Sequence, residues 1–114
     1  MVNFLSSEID MLFYALSDPT RRQILKMLNE YPCTIGELAD PFKMSLAAIS
    51  KHIKILTECG LISIRQEGRE RFCEANLQPL AQVSGWVEQY RDFWTKKFDA
   101  LEKFLDSEMQ EAKR

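Results

Sequence analysis

The chain has 114 residues, enough for one domain with one core, because a chain this size buries roughly two-thirds of its surface on folding. Its 46% hydrophobic and 28% charged residues exclude a disordered or fibrous polymer. Seventeen acids against fifteen bases give a formal charge of -2, which excludes a uniformly basic nucleic-acid coat, so any contact with DNA has to be local.

No run of about 18 apolar residues is present to cross a membrane, and the opening stretch 1–7 lacks the basic and apolar blocks of a signal peptide. A cytoplasmic protein without a membrane partner is the expectation. Cys33, Cys59 and Cys73 form an odd set with no C-x-x-C pair, which suits reduced thiols better than a disulfide framework.

In chain order, Ser7 with Asp10 three positions on opens a helix over 7–16, with Ile9, Leu12, Phe13 and Leu16 along one side. Asp18 before Pro19 ends it and caps a second helix, whose Ile24, Leu25 and Leu28 are predicted inward and Arg21, Arg22 and Lys26 outward. Thr34 and Glu37 form a capping box for a short helix that stops at Asp40 before Pro41. Ser45 caps a fourth helix with the apolar stripe Leu46, Ile49, Ile53 and Leu56, closed by Gly60 and Leu61. Residues 61–65 and 72–75 read as two strands turning through Glu67, Gly68 and Arg69. From 79 to 105, Val83, Val87, Tyr90, Trp94, Phe98, Leu101 and Leu105 recur at helical spacing, which predicts one long helix followed by a polar, fraying end over 107–114. No repeat or linker divides the chain.

The order of elements is that of a mainly α, α+β winged helix: a helix-turn-helix, a two-stranded hairpin as the wing, and a long C-terminal helix. Charge agrees with that reading. Between Ser45 and Cys73, Lys51, Lys54, Arg65, Arg69 and Arg71 outnumber Glu58, Glu67 and Glu70 by five to three, while the segments on either side are each net -2. With its apolar stripe removed, the fourth helix presents Ala47, Ala48, Ser50, Lys51 and Lys54. Small side chains permit close approach to base edges, Ser50 and Lys51 can bond bases or phosphate, and Ser45 at the helix start adds donors for a phosphate. A solvated face of an ordinary amphipathic helix would look the same in isolation.

The blocks Ala15-Leu16-Ser17-Asp18-Pro19-Thr20-Arg21-Arg22, Thr34-Ile35-Gly36-Glu37-Leu38-Ala39, Ser50-Lys51-His52-Ile53, Cys59-Gly60-Leu61-Ile62 and Gly68-Arg69 resemble the ArsR-type winged-helix repressors of bacteria. The tail with Trp86, Tyr90-Arg91-Asp92-Phe93-Trp94 and Leu101 is similar to a subgroup encoded beside START-related, lipid-binding-like proteins. The resemblance implies a homodimer that represses its operator, with the fourth helix in the major groove and Gly68-Arg69 on the wing. It also directs attention to metals, which many members sense. One metal site of the family has paired cysteines after the Glu37-Leu38 match, where this chain has Ala39, Asp40 and Pro41. Another needs histidines on the last helix, and the single histidine, His52, lies on the fourth. No metal or cofactor is therefore expected, and the three cysteines read as small buried hydrophobes.

His52 is expected to brace its helix or touch a phosphate, and Arg69 to enter a minor groove or grip the backbone from the wing tip. Trp86, Tyr90, Phe93, Trp94, Phe98 and Phe104 carry more apolar area than one isolated helix hides. The expected cover is a second copy of the chain, with Leu12, Trp86, Tyr90, Trp94, Phe98 and Leu101 at the interface and Phe4, Leu5 and Phe13 beside them. The same aromatics lining a pocket for a small apolar effector is the alternative. The resulting expectation is one winged-helix domain over 1–114 with dimerisation helices at 7–16 and 79–105. Ser50, Lys51 and Ala47 would read bases of palindromic duplex DNA, and Ser45, His52, Lys54 and Arg69 would hold its backbone. A winged-helix protein-interaction module without DNA binding is the competing reading. With no nucleophile-base pair, phosphate loop or metal triad in the sequence, an enzyme is not expected.

Overall fold

The computed structural model describes residues 7–113. Of these, residues 7–83 form one compact unit and residues 84–113 a second. The element order is α1 (Glu8–Leu16), α2 (Pro19–Glu30), β1 (Cys33–Thr34), α3 (Ile35–Ala39), α4 (Leu46–Glu58), β2 (Ile62–Glu67), β3 (Glu70–Ala75), α5 (Leu80–Glu88) and α6 (Arg91–Ala112). None of these helices is long and apolar enough to cross a membrane.

Local chemistry sets the helix starts. The Ser7 side chain accepts from the Asp10 N–H at 3.2 Å, Asp18 from Arg21 at 3.0 Å and Ser45 from Ala48 at 3.1 Å, each satisfying a donor that the first turn leaves without an intrahelical partner. Thr34 and Glu37 complete a reciprocal capping box. The C-terminus of α4 closes through Leu61 N–H to Leu56 O at 2.9 Å and Gly60 N–H to Thr57 O at 3.0 Å, a Schellman arrangement that places Gly60 at φ 79. The first unit's core collects Leu12, Ala15, Ile24, Leu25, Leu28, Leu38, Ile49, Ile53, Leu56, Leu61 and Ile62 with Cys33 and Cys73.

The sheet differs from the sequence expectation. It has three antiparallel strands in the order β1-β3-β2, because Cys33 and Thr34 pair with Cys73 and Phe72 before α3 begins. Two residues give too little alternation to announce a strand, so only the partner reveals it. The hairpin strands run longer than predicted, from Ile62↔Ala75 to Glu67↔Glu70, leaving Gly68-Arg69 as a two-residue loop. Gly68 at φ 63 in the first loop position is the type II′ arrangement, which suits the strands' right-handed twist.

Three further expectations are corrected. Leu46 does not join the apolar stripe: it is 59% exposed, in the first turn of α4 beyond the edge of the core. The helix expected over 79–105 is interrupted, with Gln89 N–H turning back to Trp86 O and Tyr90 N–H to Val87 O, which tightens the ladder to i→i−3 between α5 and α6. Beyond it α6 continues to Ala112, so the stretch expected to fray is helical almost throughout.

Candidate nucleic-acid interface

On α4 the core face is Ile49, Ile53 and Leu56. At about 100° per residue, Ala47, Ser50, Lys51 and Lys54 fall within an arc of about 100° on the opposite side, and all four are exposed. Neither lysine enters an ion pair among the described residues, so both charges face solvent. At the helix start Ser45 is exposed, and its oxygen caps Ala48, leaving the Leu46 and Ala47 N–H groups without an intrahelical acceptor. Together these groups make a short, small, cationic ridge with donors at one end.

The wing adds to it selectively. Arg65, counted among the bases of this region, is committed: Nε donates to Glu74 Oε1 and Nη1 to Glu67 Oε2, each at 2.6 Å, with the guanidinium over the Phe72 ring. Those hydrogen bonds, to Glu74 first and then Glu67, raise its proton affinity further. With Glu67 so engaged, Arg69 at the tip and Arg71 on β3 stand exposed and outside any ion pair among the described residues. The sequence reading passed over Arg71 as a site residue, because the cross-strand neighbours that leave it unpaired are visible only once the hairpin register is known.

Arg21 departs most from the sequence reading, while His52 is held in the bracing position considered for it. Arg21, expected outward on α2, is only 5% exposed. Its Nε donates to Ala15 O at 2.7 Å and Nη2 to Tyr14 O at 3.0 Å, the latter a carbonyl that also accepts from the Ser17 N–H and hydroxyl, while its guanidinium lies 5.1 Å from the Tyr14 ring centroid. Its Nη1 is 3.1 Å from His52 Nδ1. His52 is therefore half-buried and braced, with 18% of its side-chain surface open and Asp18 at 3.9 Å from the same nitrogen. Partial burial alone would raise the Asp18 carboxyl. The Arg21 N–H, the charge of His52 in its protonated form, the Arg21 guanidinium charge and the Thr20 N–H outweigh it and hold the group below its ordinary value.

The expected interface residues divide. Leu12 is 1% exposed and belongs to the core of its own chain, so it offers no surface to a second copy; on α1 the exposed large hydrophobic side chains are Phe13 and Tyr14. Phe4 and Leu5 lie outside the described residues. Trp86, Tyr90, Trp94, Phe98 and Leu101 are all exposed, and no residue of α5 or α6 is buried. Phe93, Trp94, Phe98, Leu101, Phe104, Leu105 and Met109 fall within an arc of about 160° on α6, wider than the seam of a two-helix pair.

The cysteines are free thiols. Cys33 and Cys73 face each other across β1 and β3, and burial pushes both thiols up, as it does the half-buried Cys59. Among the described residues no three His, Cys, Asp or Glu side chains converge on a point that could hold a metal. A cavity of about 520 Å³ opens beside the end of α4, lined by Glu8, Met11, Glu58, Cys59, Pro79 and Gln82 among others. No aromatic side chain lines it, unlike the apolar effector pocket considered from the sequence.

Comparison with known proteins adds an independent line. Residues 18–63 match the sequence model described as "Bacterial regulatory protein, arsR family". The chain is 32% identical to the HTH-type transcriptional regulator Rv2034 of Mycobacterium tuberculosis (strain ATCC 25618 / H37Rv) over 99 residues, covering 87% of this chain and 90% of that one. It is 36% identical to the transcriptional repressor SdpR of Bacillus subtilis (strain 168) over 76 residues, covering 67% and 84%. Among solved structures, the ArsR-like transcriptional regulator from Rhodococcus sp. RHA1 matches with a TM-score of 0.71 and 30% identity, over 94% of this chain and 98% of that one.

Proposed function

The chain belongs to the arsR family of bacterial regulatory proteins, and on that premise we propose that it is a homodimeric repressor of palindromic operator DNA. The observation that carries this reading is the exposed face of α4, small and cationic where the rest of the chain is net acidic, together with Arg69 exposed at the Gly68 turn of the wing. α4 enters the major groove; Ala47, Ser50 and Lys51 meet base edges, Ser45 and Lys54 meet phosphates, and Arg69 reaches the flanking backbone or minor groove. His52 contributes a backbone contact from a braced position.

The second copy is argued from the tail. An apolar arc this wide on α6 has to be covered by more than one helix, which a twofold dimer supplies by bringing the twin α6 together with a further helix. Two α4 helices about 34 Å apart then meet successive major grooves. The aromatic tail groups the chain with the family members encoded beside START-related proteins, and an effector that changes the angle between the two winged-helix units releases the operator.

Selection of bound fragments from the source genome, followed by mobility shift on the enriched duplex, tests the reading. The expected product is an inverted repeat with half-sites about 10 base pairs apart, centre to centre. Failure to enrich any fragment over competitor DNA at low salt refutes it.

A further inference from the structure

We propose that Arg21 is a positioning residue for DNA recognition, one that fixes the His52 imidazole so that its Nε2–H is the hydrogen-bond donor offered to a phosphate. The proposal rests on the DNA-binding reading above and assigns a role to a residue that no DNA contact requires.

The chemistry follows from the guanidinium, which has donors and no acceptor. With Arg21 Nη1 at 3.1 Å from His52 Nδ1, the ring nitrogen has to accept. A neutral imidazole that accepts at Nδ1 carries its proton on Nε2. No second partner for the ring is present among the described residues beyond Asp18, at 3.9 Å from the same Nδ1, and part of the ring surface stays open. Arg21 itself cannot drift, because its other nitrogens are tied to Ala15 O and Tyr14 O. One buried cation thus links the end of α1, the start of α2 and the middle of α4. A lysine could supply the charge but not three bonds in a fixed plane.

The single histidine makes the test direct. Long-range 15N–1H NMR of the full chain at pH 8 should show one imidazole in the Nε2–H form, with a coupling across the hydrogen bond from an arginine Nη to Nδ1. In Arg21→Lys and Arg21→Gln that coupling should vanish. Operator affinity should fall about tenfold in Arg21→Gln and by a similar factor in His52→Phe, as expected for loss of a hydrogen bond to a charged group. The double variant should be no weaker than His52→Phe alone, since Arg21 acts through the ring. Additive losses, or a wild-type ring protonated on Nδ1, overturn the proposal. Should Arg21→Gln not fold, Arg21→Lys completes the same cycle. A wild-type chain that binds no operator would refute the DNA-binding reading instead, while the ring signature would still report whether Arg21 sets the tautomer.

Discussion

Phe98 provides the sharpest measure of the proposed dimer. It is 64% exposed, and an aromatic side chain carries roughly 200 Å², so roughly 130 Å² is open to cover by a partner. At about 25 cal/mol per Å² that is about 3 kcal/mol, and a twofold interface buries it twice, giving about 6 kcal/mol or about four powers of ten in dissociation constant. Neighbouring side chains close over part of the gap left by Phe98→Ala, so a rise of about a hundredfold is the smallest outcome consistent with the argument. Sedimentation equilibrium over a concentration series reads it directly. The winged-helix core contains no α6 residue, so circular dichroism separates loss of association from loss of fold. A Phe98→Ala chain that dimerises as tightly as wild type, or a wild-type chain that stays monomeric, would refute the use made of the tail.

Lys51→Ala should weaken operator binding by about 1–3 kcal/mol and loosen base preference, whereas Lys54→Ala should weaken every duplex alike; competition with scrambled DNA distinguishes them. Removing the cap in Asp18→Ala should cost about 1 kcal/mol in urea denaturation at neutral pH, with Asp18→Asn largely preserving it. Because the folded-state value of Asp18 is lowered, its ionic contribution is fully present above the unfolded carboxyl value and is lost as pH falls through the folded one. Wild type should therefore lose an acid-side increment of stability that Asp18→Asn lacks, and parallel curves for the two would show the shift to be wrong. Burial raises all three thiols, so a thiol reagent at pH 7 should modify the half-buried Cys59 first and Cys33 and Cys73 only on unfolding; prompt native-state labelling of either strand cysteine would contradict their placement.

What was legible in the sequence is what depends on near neighbours. The caps at Ser7, Asp18, Thr34 and Ser45, the stop at Gly60 and the turn at Gly68 each involve residues within a few positions, and each is where the residue types put it. What was hidden depends on distant partners. Cys33 and Thr34 become a strand only because β3 lies alongside. Arg21 falls on the polar side of α2 by periodicity, yet the carbonyls of α1 and a histidine 31 positions away draw it inside. The break after Glu88 is marked by no proline or glycine at 89–90, and a single tightened turn leaves the apolar recurrence nearly intact. On the candidate site, α4 and the wing tip were readable from residue type, whereas the commitment of Arg65 and the exposure of Arg71 required the hairpin register.

The net acidity of the chain and the proposed DNA contact are reconciled by counting cations. On α4 and the wing each protomer offers Lys51, Lys54, Arg69 and Arg71 outside any ion pair among the described residues, and Arg65 is neutralised by Glu67 and Glu74. With Lys51 at base edges, the three phosphate contacts left on α4 and the wing, Lys54, Arg69 and Arg71, give a slope of log affinity against log salt of about -3 for one protomer and about -5 for two. A measured slope steeper than about -3 therefore requires the dimer, and Phe98→Ala at concentrations below its own dissociation constant should bring the slope back to the single-protomer value. A flat slope for the wild type would mean that α4 and the wing do not face phosphate, and would favour a protein partner for the same surface.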